Sequence, residues 1–133
     1  MPWPVLRVYV EAAEQALGVR FPASFIAKML SQNGGEVVFK DDDWTIHPFW
    51  DKSDQKRLAR TSNDIVRETK KMRELDWFPR DAVAIAENAD GDRLVLRPDS
   101  ADPSELGPVV FLWEFHGGEL QAVCDNPLEL WEG

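Results

Sequence analysis

The chain has little of what most reactive or extracellular proteins rely on. It has one cysteine, Cys124, among 133 residues. A single thiol cannot close an internal disulfide, so no covalent staple is available and the chain reads as cytoplasmic. Only two histidines, His47 and His116, are present. No Gly-x-Ser-x-Gly elbow, CxxC pair, HxxxH pair or glycine-rich phosphate loop occurs. No apolar run approaches the ~18 residues of a membrane span. The start, Met1-Pro2-Trp3-Pro4, lacks the basic and apolar regions of a signal peptide.

Positive charge is also scarce. Lys and Arg total 15 against 24 Asp and Glu, giving a formal net charge of -9. The densest basic stretch, Arg67 to Arg73, is interrupted by Glu68 and flanked by Asp64 and Glu74. Phosphate backbones and anionic membranes both call for concentrated basic surface, so neither nucleic acid nor membrane is an expected partner. An acidic surface suits a basic protein, because opposite fields speed encounter. The same charge also serves solubility alone.

What is present is a core. Hydrophobic residues make up 44% of the chain, enough for one domain over residues 1–133. Helical spacing of Leu6, Tyr9, Ala13, Ala16 and Leu17 predicts a first helix from Pro4 to Gly18. A second is expected over 22–32, stopped by Asn33-Gly34-Gly35. Alternation predicts strands at Glu36–Lys40 and Trp44–Ile46, with Asp41-Asp42-Asp43 as the turn between them. Residues 49–61 are polar and carry no clear pattern. A third helix is expected over 62–75, with Ser62 as its N-cap.

Ala82–Ala86 is apolar on both sides, as in an interior strand with one face small enough for a helix to approach closely. Asp90-Gly91 signals a hairpin into Leu94 and Leu96. Pro98 to Pro108 reads as a loop. Val109–Phe115 and Leu120–Cys124 are two more strands, joined by Gly117-Gly118. Asn126, Pro127 and Glu129 form a capping box for a short last helix. The order α-α-β-β-α-β-β-β-β-α, with short turns between strands, predicts an α+β fold with a mainly antiparallel sheet of about six strands.

Several of these motifs occur in a recognisable order. Leu17-Gly18, then Pro22, then Asn33-Gly34-Gly35, resembles the opening of the SUKH superfamily, which includes the fungal cell-wall-assembly regulator. Trp44, Ala84-Ile85-Ala86, the Asn88 to Asp92 turn with Gly91-Asp92, the strand Val110–His116 and the segment from Asn126 resemble the rest of that family's pattern. The resemblance implies an α+β fold and a non-catalytic role. Its bacterial members are similar to immunity proteins that bind and block secreted toxins, often nucleases; others are protein-interaction modules. Gly18, Pro22, Asn33, Gly34, Gly35, Gly91 and Asp92, which carry it, are assigned to the fold.

No residue is expected to catalyse a reaction or hold a cofactor. His116 and Cys124, with Glu114 nearby, are a weak zinc pattern; a buried thiol and a strand-end histidine explain them as well. Asp41-Asp42-Asp43, and Asn88 with Asp90 and Asp92, lack the spacing of a calcium loop. A hydrolase working through a carboxylate pair stays open, since 24 carboxylates allow many pairs. Tryptophan is enriched at interface hot spots. Trp44 and Trp113 read as core. Trp50, in a polar irregular stretch, reads as a surface anchor. The expected partner-binding set is therefore Asp41, Asp42, Asp43, Trp50 and Asp51, with the acids steering a basic toxin domain.

Overall fold

The computed structural model describes residues 2–132; Met1 and Gly133, the ends of the expected domain, lie outside the described residues. Helices α1 (Arg7–Leu17) and α2 (Ala23–Ser31) come first, then strands β1 (Gly35–Phe39) and β2 (Asp42–Ile46). Two helices follow, α3 (Gln55–Arg60) and α4 (Ile65–Met72). Strands β3 (Val83–Glu87), β4 (Arg93–Leu96), β5 (Val110–Trp113) and β6 (Leu120–Cys124) and a 3-10 helix, Pro127–Trp131, complete the chain. The six strands pair antiparallel in sequence order, giving one α+β sheet.

Side-chain alternation sends the strands' residues to two cores. On one face Val83, Ile85, Leu94, Leu96 and Val110 meet Val10 and Ala13 of α1, Phe25 and Met29 of α2, Ile65 of α4 and Leu130. Here Phe49 lies edge-on to Phe21 at 5.2 Å between centroids. On the other face Ala84, Val95 and Trp113 pack against Met72, Phe78 and Ala82. The small Ala82 and Ala84 let α4 come close, as expected of an interior strand. Thr69 of α4 accepts the Ala84 N–H at 2.9 Å, beside the bulge between Ala84 and Ala86. That bond gives the buried Ala84 donor a partner and ties α4 to β3.

The residues carrying the family resemblance do structural work. Asn33 clamps Phe49: its Nδ2 donates to the Phe49 carbonyl at 2.9 Å, and its Oδ1 accepts the Phe49 N–H at 2.8 Å. Gly34 has φ +96°, and a Cβ there would stand 2.9 Å from the Ile46 carbonyl oxygen. Asn88 ties two hairpins together. Its Nδ2 donates to Asp42 Oδ2 at 2.9 Å and Asp92 Oδ2 at 3.1 Å, while its Oδ1 accepts the Asp90 and Asp92 N–H groups. Asp92 in turn accepts the Phe115 N–H at 3.0 Å, which reaches the third hairpin.

Several elements differ from expectation. The first helix begins at Arg7, not Pro4, and it turns Val10 inward while Leu6 is exposed. Residues 55–60 form a helix that polar sequence had hidden; Asp54 caps it by accepting the Arg57 N–H at 2.8 Å. The following helix is capped by Asp64 rather than Ser62, whose hydroxyl donates to the Ala59 carbonyl at 3.1 Å. The closing helix has the expected capping box but winds as a 3-10 turn. No described helix is long and apolar enough to cross a membrane.

Candidate functional site

The β1–β2 hairpin closes on Phe39 opposite Asp42, so its turn is the two residues Lys40 and Asp41. Both have positive φ, +51° and +64°. That is the pattern of a type I′ turn, whose twist matches the flanking strands. The expected three-residue turn is thus corrected: Asp42 and Asp43 already belong to β2. Asp42 is engaged by Asn88 and by the Asp43 N–H. Asp43 stands opposite Val38.

Alternation in β1 turns Glu36 and Val38 outward, and Val38 is 53% exposed. The outer face of the hairpin therefore sets one exposed apolar side chain among Glu36, Asp41 and Asp43. Among the described residues none of these carboxylates, nor Asp42, forms an ion pair with a cation. Among the described residues strand β1 pairs only with β2, so it is a sheet edge.

Trp50 and Asp51 lie elsewhere. Trp50 is 40% exposed, donates from Nε1 to the Leu58 carbonyl at 3.2 Å, and carries the Lys52 ammonium 4.7 Å from its ring centre. It lines a groove of about 750 Å³ that runs between α1 and α4. Tyr9, Ala12, Ala16 and Val66 line it too, with Lys52, Arg67, Lys70 and Lys71 among its polar residues. No residue of the acidic hairpin lines it. Asp51 is buried. Its carboxylate accepts the Ser53 N–H at 2.9 Å and sits 3.8 Å from Arg57 Nε, and its own N–H donates to Thr61 Oγ1. It orders the loop before α3. The five expected residues are thus divided among an acidic hairpin, a groove with basic side chains and a buried loop tie.

One constellation escaped the sequence. His47 follows β2, and its backbone N–H donates to the Ile85 carbonyl at 2.8 Å, fixing it over β3. Its imidazole is fully buried, and among the described residues neither ring nitrogen has a hydrogen-bond partner. Nδ1 lies 3.9 Å from Glu87 Oε1, too far for a hydrogen bond. Burial above all, then the charges of Arg93 and Lys71, push the imidazole's pKa down to about 3, so it is neutral at physiological pH. Glu68 is buried on α4, and one ligand atom from each of His47, Glu68 and Glu87 lies within 4.8 Å of the others. A signal did exist: Ile65, Glu68, Thr69 and Met72 are spaced for one helical face, which aims Glu68 inward.

The pattern considered from sequence is not this one. His116 is exposed with its ring 5.3 Å from that of Phe115, and the half-buried Cys124 thiol donates to the Asn126 carbonyl at 3.5 Å. Burial, then Glu129, raises that thiol's pKa, which makes it less reactive.

Comparison with known proteins gives one positive finding. The model of the SMI1 / KNR4 family (SUKH-1) matches residues 4–131, nearly the whole chain and all of the elements described above. No curated protein matches the sequence.

Proposed function

The chain belongs to the SMI1 / KNR4 family (SUKH-1), and from that premise we propose that it is a non-catalytic protein-binding domain, an immunity protein of the bacterial cytoplasm that neutralises a secreted toxin by direct binding. The observation that carries this reading is the outer face of the β1–β2 hairpin. Glu36, Asp41 and Asp43 stand around the exposed Val38, and among the described residues none of them forms an ion pair. Unpaired carboxylates around an apolar centre suit a basic partner: the charges steer and orient, and the apolar residue is desolvated. On a nuclease toxin they would stand where substrate phosphates bind.

The absence of turnover is part of the proposal. The groove beside Trp50 sets Asp64 and Glu74 among four cations, and the close carboxylates Glu68 and Glu87 line no part of it. The test is co-expression with the toxin encoded beside this gene. Protection of the cell and a stoichiometric complex support the reading; neither protection nor complex refutes it.

A second reading has its own observation. The groove between α1 and α4 joins an apolar floor to Lys52, Arg67, Lys70 and Lys71. In a chain of net charge -9 that local excess suits an acidic segment, as a general regulatory interaction module would bind. A partner whose affinity falls in Trp50→Ala but not in a hairpin charge reversal would select this reading over the first.

A further inference from the structure

We propose that His47, Glu68 and Glu87 form a site for one divalent transition-metal ion of the zinc class, joining the end of β2 to α4 and β3. Three observations meet here. The imidazole is fully buried and, among the described residues, unpartnered at both nitrogens. Buried polar atoms left unsatisfied cost free energy, so a native core gives them a protein partner, an ordered water or a bound ion. Two carboxylates from different elements come within 4.8 Å of that imidazole and of each other. The donor set, one imidazole and two carboxylates, matches zinc and its neighbours rather than calcium, which takes oxygen ligands alone.

The geometry needs only a small closure. Donors bound at ~2.1 Å in a tetrahedron stand ~3.4 Å apart. The Nδ1 to Oε1 separation is 3.9 Å, and no pair exceeds 4.8 Å. Glutamate rotamers supply that movement without shifting the backbone, and Glu87, 37% exposed at its side chain, gives the ion a route from solvent. A water would take the fourth position. Two cations oppose the ion. Arg93 and Lys71 both act on the imidazole, so the two carboxylates must supply the negative charge that holds the ion. Removing the exposed Lys71 charge should tighten it.

The probe is zinc chloride, titrated calorimetrically into the full chain after chelator treatment, with cobalt(II) absorption as a reporter of coordination. One ion per chain is expected, with a rise in melting temperature that EDTA reverses. Affinity should fall at least ~10-fold in Glu68→Gln and in Glu87→Gln, where a neutral amide replaces a charged ligand. It should rise in Lys71→Gln. Should Glu68→Gln fail to fold, Glu87→Gln and Lys71→Gln, both at partly or fully exposed positions, still decide the matter. No binding, or binding that none of these variants changes, overturns the proposal.

Discussion

Replacing Asn33 by alanine should destabilise the protein severely while leaving the outer face of the hairpin untouched. The Asn33 side chain makes two hydrogen bonds to the backbone of Phe49, at 2.9 and 2.8 Å. Phe49 is fully buried, so truncation leaves one N–H and one C=O without partners in a dry core. Each orphaned group costs ~1–3 kcal/mol, which makes ~3–4 kcal/mol a reasonable total. A domain of this size has only ~5–15 kcal/mol of stability, so the loss is a large share. At ~3–5 °C per kcal/mol it lowers the melting temperature by about 10–15 °C.

Urea unfolding followed by tryptophan fluorescence measures the change. Ser31→Ala is the control: that hydroxyl donates to the Lys28 carbonyl on an exposed face, and its loss should cost less than ~0.5 kcal/mol. Partner affinity of the folded fraction should equal wild type in both variants. A destabilisation below ~1 kcal/mol in Asn33→Ala, or a folded variant that no longer binds, would show that Asn33 acts in function and not in the fold.

Gly34→Ala should cost ~2 kcal/mol or more in the same assay, because it forces a side chain into positive φ and against the Ile46 carbonyl; a neutral result would refute the close approach. In metal-free solution the stability of wild type should fall with acid relative to His47→Leu. The folded imidazole, at about 3 against 6.5, resists the proton that the unfolded chain binds. The deficit therefore opens below pH 6.5 and grows by ~1.4 kcal/mol per pH unit, to ~2 kcal/mol at pH 5. Arg93, Lys71, Glu68 and Glu87 surround this group, and parallel pH curves for the two proteins would contradict its burial as a neutral ring. The double variant Glu36→Lys, Asp43→Lys should fold normally but bind a basic partner ~10-fold or more weakly, mainly through slower association; Trp50→Ala should leave that affinity unchanged.

Local signals carried most of the fold. Gly18 at positive φ ended α1, Asp90-Gly91 turned β3 into β4, and the Asn126 capping box marked the last helix, because each depends on neighbours a few residues away. Alternating and wholly apolar runs located all six strands, and the small residues at Ala82–Ala86 announced the close approach of α4. What escaped was set at a distance. Asp51 looks like any surface acid until Thr61 and Arg57 fold over it. Ser62 and Asp64 are equally good caps on paper, and only the end of α3 decides between them. His47, Glu68 and Glu87 are about 20 residues apart from one to the next and meet only once α4 lies on β3. The expected anchor and steering acids were adjacent in sequence, but alternation and burial separated them in space.

The most direct measurement isolates partners from the native cell on immobilised wild type and on the Glu36→Lys, Asp43→Lys variant, with native mass spectrometry of what is retained. The account predicts one basic protein held at a fixed stoichiometry by wild type and released by the variant. Equal retention on both, or a purified chain that turns over a small molecule, would contradict it.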